Sequence, residues 1–434
     1  MSTESTRAES TRAGLSRRAL LGGGAVLAGT ALGGGVVGHA VGSGAARPGG
    51  VADGSGMPGT EAVAGPGAAG RSGTAALHGT ATEPFWGEHQ AGIATPHHAH
   101  GVFLGLDLKK GVDRERVVTL MRLLTDDAAR LTSGRAPLGA VEGDLAALPA
   151  RLTVTFGFGA GFFDAIGAPQ ACPPFVREMP AFETDDLDPR WGPTDLFVQV
   201  CSEDPLTVTY AQRRLVRDAA DFATPVWAQR GFLPARGTEA DGTTPRNLMG
   251  MRDGSANESD PAQVDSVLWN DGAEFAWLTG GTQVVLRRMR IDMATWDDLS
   301  IEAKEIGFGR RVGDGSPLTG TKESDVLDRT ATDSDGFPVV APNAHAARAQ
   351  ARSAGERMIR RPLNYAIETP AGLEEGLLFC AYQADLGTAF VPVQRRLAEA
   401  DALNAWATHI GSASYAVPPG AREGSYIGAT LLEA

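Results

Sequence analysis

The sequence predicts an α+β fold made of two similar halves, each an antiparallel sheet covered by helices. Three observations predict it. Short apolar runs with strand spacing alternate with helically spaced segments in the order strand, helix, strand, strand, helix. A similar succession returns after residues 236–245. The length of 434 residues, 42% of them apolar and 21% charged, suits two cores better than one.

The elements follow in order. Residues 1–45 carry a polar lead, then Ser16-Arg17-Arg18-Ala19-Leu20-Leu21, then a weakly apolar, glycine-interrupted stretch and small residues near Ala40 to Ala46. That pattern predicts a twin-arginine export signal, too short and glycine-rich in its apolar part to span a membrane. Because that route carries folded proteins, the signal points to a prosthetic group inserted before export. Residues 46–82, rich in Gly, Ala, Pro and Ser, read as a linker. Gly101–Leu108 reads as a strand, 113–132 as a helix, Leu152–Phe158 and Asp195–Val200 as strands, and Pro205–Asp218 as a helix. In the second half, Ala276 to Ile291 reads as a long strand and Asp292–Lys304 as a helix. Leu377–Gln383 reads as a buried strand, and Pro392–Ile410 as a helix closed by Gly411.

Charge and cysteines exclude several functions. The net charge is −13 and the part after residue 45 has no long basic run, so neither nucleic acid nor an anionic membrane surface is an expected partner. Three cysteines without a CxxC give neither a disulfide framework nor a zinc ribbon.

Four local patterns can carry chemistry, each with a plain alternative. In Gly250-Met251-Arg252-Asp253-Gly254-Ser255-Ala256-Asn257, the glycines let the backbone approach a ligand closely; an Asp between glycines also serves as an ordinary turn residue. His97, His98 and His100 form either a transition-metal handle or a solvated loop. His345 stands alone in an alanine-rich segment, as a ligand or as a satisfied structural residue. Arg360-Arg361-Pro362 leads into an apolar strand; arginine goes inside only when paired, and otherwise these are two solvated edge residues.

Taken together the motifs resemble a known family. GMRDGSAN, His345 in AHAARAQAR, Arg360 in MIRRPLNY, EEGLLFCAYQAD and FVPVQRRLAEADALNAW come in the order found in dye-decolourising peroxidases. FWGEHQAGIATP, LTVTFGFGAGFFDAIG and VLRRMRIDMATWDDLS are similar as well, so the likeness, closest to the twin-arginine-exported subgroup, runs over about residues 83–430. It implies two ferredoxin-like domains, 83–240 and 241–434, with one haem b per chain bound mainly by the second. It implies reduction of hydrogen peroxide to water, with dyes, phenols, other bulky reductants or a redox partner protein supplying electrons.

The resemblance also assigns residues. His345 is the axial iron ligand, Asp253 the distal carboxylate and Arg360 the distal arginine, while Asn257 helps hold pocket water or peroxide. Gly254, Ser255 and Ala256 lie along the haem. Where relatives have an NPR-like turn this chain has Gln350-Ala351-Arg352, leaving Arg352 as a propionate partner. Leu377 and Phe379 roof the distal side. Asp401 accepts the second N–H of His345, with Asp385 as the fallback. An aspartate in the base's role predicts an acidic optimum, and Tyr365, Tyr382, Trp406 and Tyr415 are candidate electron carriers. Two other readings remain: haem iron release as in the family's iron-uptake relatives, and a non-catalytic exported metal-binding module using His97, His98 and His100.

Overall fold

A computed structural model describes residues 78–240 and 242–434. The predicted export signal and nearly all of the predicted linker lie outside the described residues. Among the described residues no helix is long and apolar enough to cross a membrane.

The first half runs β1 (His100–Leu108), a helix Arg114–Thr132, β2 (Thr153–Phe158), β3 (Leu196–Ser202), a helix Pro205–Asp218 and β4 (Ala223–Phe232). Both helices start where the sequence supplies a cap. Asp113 accepts from Arg116 N at 3.1 Å, and Asp204 accepts from Thr207 N at 3.0 Å ahead of Pro205. β1 lies between β3 and β4, and β2 flanks β3, all antiparallel. This strand, helix, strand, strand, helix, strand unit is the ferredoxin-like arrangement.

The second half repeats it with β5 (Thr282–Ile291), β6 (Ile359–Arg360), β7 (Leu363–Thr369), β8 (Gly372–Gln383), a helix Phe390–Ala400 and β9 (Ala407–Val417). β5 sits between β8 and β9, while β6 and β7 pair in succession along the other edge of β8. Pro362 separates β6 from β7 because proline has no N–H to give the ladder.

Two narrow seams join the halves. Phe158 pairs with Ala416, and Phe232 with Asn364, so the strands close into a barrel-like antiparallel sheet. Alternation then gives β1, β2 and β3 two buried faces. Val102, Leu104 and Leu106 of β1 meet the helices, and Phe103 turns inward with Phe197, Trp227, Tyr382 and Tyr415. Burial on both sides is why β1 and β8 read as continuous apolar runs.

Three expectations fail. Pro392–Ile410 is not one helix: it ends at Ala400, Asp401 turns the chain by accepting from Leu403 N at 2.9 Å, and β9 follows. Gly411, expected to close that helix, instead lies in β9, where Trp191 packs so closely that a Cβ would stand 2.5 Å from it. Asp292–Lys304 is two short helices, Met293–Asp297 and Ile301–Phe308, the second capped by Ser300. The strand expected from Ala276 begins at Thr282, after a 3₁₀ turn at Ala276–Leu278.

Candidate active site

The outer face of the second half's sheet turns Met289, Ile291, Leu377 and Phe379 into a cavity of about 1540 Å³. Loops carrying Asp253, Arg310, His345 and Arg360 close around it. That exceeds the roughly 300–1,000 Å³ of ordinary small-ligand sites.

His345 opens the short helix His345–Ala349, directly after fully buried Ala344. Its Nδ1 lies 2.6 Å from Asp401 Oδ2, and Asp401 is itself held by the Leu403 backbone. The Asp401 side chain is 5% exposed and that of His345 24%. With the carboxylate as acceptor the proton is assigned to Nδ1. Among the described residues Nε2 has no hydrogen-bond partner, and His345 lines the cavity. Burial pulls the imidazole pKa down, but the Asp401 carboxylate and its hydrogen bond outweigh this, and the net shift is upward. Phe308 packs against the ring, 5.1 Å between centroids.

Asp253 and Arg360 stand together at 3.8 Å, and both charges act on His345 through space. Asp253 is fixed by its N–H on Pro245 O at 2.9 Å, with the Asn247 amide 3.4 Å from its Oδ2. The glycine after it has φ +124°, a conformation closed to other residues, which sets the tight path of the loop. Ser255 donates to Glu323 at 2.8 Å, and Ala256 is exposed at the rim. Gly254, Ser255, Ala256, Leu377 and Phe379 all line the cavity.

Two expected roles change. Asn257 lines the cavity, but its amide is engaged by protein: its Nδ2 donates to Arg360 O at 2.8 Å and its Oδ1 accepts from Arg360 N at 3.1 Å. It is a clamp on the arginine's backbone. Arg352 is exposed and is not among the cavity-lining residues, whereas Gln350 and Ala351 are; only its backbone N–H is engaged, by Glu356. The turn swings that side chain to solvent. Asp385, the fallback acid, caps Thr388 instead of reaching His345.

Sequence reading missed Arg310. It lines the cavity, donates only to the carbonyls of Gly315 and Glu323, and has no side-chain carboxylate within ion-pair distance among the described residues. Burial, then the neighbouring Arg360 charge, lower its pKa. A lone Arg in a polar loop gives no periodic signal.

The three histidines near β1 do not converge, and among the described residues no three His, Cys, Asp or Glu side chains could hold a metal ion together. None of Tyr365, Tyr382, Trp406 and Tyr415 lines the cavity. Trp406 packs edge-on against Trp296 at 5.4 Å, and Trp296 donates to the carbonyl of cavity-lining Met249.

The donor set suits a haem. An imidazole backed by a carboxylate leaves Nε2 free, an acid and a guanidinium act across the same cavity, and Arg310 and Arg360 offer positive charge to propionates.

Comparison with known proteins agrees. The model of the Dyp-type peroxidase N-terminal domain matches residues 90–233, and that of the C-terminal domain residues 244–422. A dye-decolorizing peroxidase of Thermobifida fusca (strain YX) is 40% identical over 365 residues, 79% of this chain and 84% of that protein. A deferrochelatase of Yersinia pestis is 33% identical over 375 residues, 81% of this chain and 85% of that one. The solved DyP-type peroxidase of Cellulomonas bogoriensis superposes with TM-score 0.80 at 44% identity, covering 82% of this chain and 99% of that chain. Ferric DtpA of Streptomyces lividans gives 0.78 at 39%, covering 82% and 99%. With both domains matched and such identity across four-fifths of its length, the chain belongs to the DyP-type peroxidases, a family of haem oxidoreductases.

Proposed function

We propose that the chain binds one haem b and reduces hydrogen peroxide to water at the expense of bulky organic reductants such as dyes and phenols. The observation that carries this is the pairing of His345 with Asp401 on one side of the cavity and of Asp253 with Arg360 on another. When bound, the haem supplies the redox chemistry.

The chain's residues supply the rest. His345 Nε2 would hold the iron, while Asp401 fixes the ring's tautomer and raises its basicity. Asp253 takes a proton from peroxide and returns it to the departing oxygen. Arg360, permanently cationic, stabilises the negative charge that develops as the O–O bond breaks. Asn257 acts one step back, by fixing the backbone from which Arg360 projects. Leu377 and Phe379 keep the reacting side apolar.

The test is a visible spectrum of the purified protein before and after one equivalent of peroxide, followed by turnover of an anionic dye. A Soret band that changes with peroxide, and dye loss with the porphyrin intact, are expected. Accumulation of iron-free porphyrin would instead favour the chemistry named for the deferrochelatase relatives.

We also propose export through the twin-arginine route, supported by Ser16-Arg17-Arg18-Ala19-Leu20-Leu21. Replacing Arg17 and Arg18 by lysine should retain the protein inside the cell; unchanged export refutes it.

A further inference from the structure

Arg360 and Arg361 are neighbours in sequence but not in surroundings. Arg360 belongs to the catalytic face. Arg361 turns the other way, to the mouth of the barrel, where its titratable neighbours are the buried, neutral Cys201, Cys380 and Tyr382 and the charged Arg151. It is 7% exposed, and its side chain has one protein acceptor among the described residues, the carbonyl of Thr95. No carboxylate lies within ion-pair distance of it among the described residues.

The charges around it do not cancel. Arg151 is satisfied by Glu83 at 2.7 Å and Glu203 at 2.6 Å, and Arg236 reaches the same Glu203 at 4.0 Å. Arg151 and Arg236 thus take both carboxylates between them, and the positive charge of Arg361 is left over. A buried guanidinium without a counter-ion is costly and is not something a fold keeps without a use.

A second polar group at this corner also lacks a partner. His98 is 3% exposed and neither of its ring nitrogens makes a hydrogen bond; the Arg151 carbonyl is close but outside bonding geometry. Arg361, His98, Thr95, Arg151 and Arg236 all line the same cavity as the catalytic residues.

We infer that this corner, between Arg361 and His98 at the barrel mouth, is a receptor for a single carboxylate group. One surplus charge matches a monoanion. The planar fork of arginine suits the two oxygens of a carboxylate, and a turn of the His98 ring gives that anion a further N–H while giving the imidazole its missing acceptor. The carboxylate has two sources: a small free acid entering from solvent, or a propionate of the haem. The first does not depend on the function proposed above.

The test uses benzoate as probe, by titration calorimetry on the holoenzyme and on the haem-free protein, with His98→Gln and Arg361→Gln compared with Arg360→Leu. If free acids occupy the corner, the holoenzyme binds benzoate and the first two variants weaken binding at least tenfold. If a propionate occupies it, only the haem-free protein binds benzoate, and the same variants pass haem to apomyoglobin at least tenfold faster than the parent. The two variants read the corner separately, so misfolding of Arg361→Gln leaves His98→Gln decisive. No binding to either form, or binding that only Arg360→Leu weakens, overturns the proposal.

Discussion

Replacing Asn257 by alanine tests whether Arg360 is held by its backbone. The amide makes two hydrogen bonds to Arg360, at 2.8 and 3.1 Å, while the guanidinium's own polar partner, Asp253, is 3.8 Å away. The side chain is therefore placed mostly by the strand it leaves. Two neutral hydrogen bonds at about 1 kcal/mol each put the stability loss near 2 kcal/mol. The loss in rate is set by displacement: about 1 Å at a charge-stabilising group costs on the order of 100-fold. Stopped-flow mixing with peroxide should show the second-order rate constant falling about 10- to 100-fold, with the resting spectrum unchanged. In an Arg360→Leu background the same Asn257→Ala change should cost less than about twofold, because nothing remains for it to position. Losses that multiply in the double variant would mean that Asn257 acts on peroxide directly, and the positioning argument would fail.

Other consequences are as specific. His345→Ala should remove the Soret band or loosen the haem; unchanged ligation after loading refutes the axial role. Gly254→Ala forces a side chain onto φ +124° and should cost about 1–3 kcal/mol in a denaturant melt; an unshifted midpoint would show that the loop relaxes freely. Acid should destabilise the fold through its buried histidines. Burial first, then nearby positive charge, lowers His98 to about 2 and His409 to about 3, against 6.5 in the unfolded chain. Their contribution is complete above pH of about 6.5 and falls away toward about 3, because the unfolded chain takes up protons that the fold refuses. At pH 5 each accounts for about 2 kcal/mol. Melts that coincide at pH 7 and pH 5 would contradict this, and His409→Gln should shrink the difference.

What the sequence revealed depended on how local the cause was. The helix Pro205–Asp218 is legible to the residue because Asp204 and Pro205 fix its start from within one turn. β9 was not legible. Its small residues and Gly411 suit a helix tail as well as a strand, and only pairing with β5, more than a hundred residues earlier, decides between them. β4 escaped for a related reason: six of its ten residues are exposed and its alternation is weak. In the site, motif order singles out Asp253, His345, Arg360 and Asp401, and all four line one cavity. The duty of Asn257 is not, since it depends on a backbone 103 residues away. Arg352 shows the converse, a motif position whose side chain the local turn sends outward. The separation of Arg360 from Arg361 follows from strand alternation, but the missing counter-ion of Arg361 is a fact of three dimensions.

The seam at Phe232 and Asn364 has one more implication. Asn364 also uses its side chain, accepting from Leu248 N and donating to Arg246 O, both at 3.1 Å. The stretch linking the halves is thus riveted at the junction a few residues before it delivers Asp253. In many bilobed proteins such a crossover is where a chain can be cut, lengthened or exchanged between molecules. Here any slack added downstream of that rivet would reach the proton-handling carboxylate, so insertions and permutation points belong upstream of Arg246.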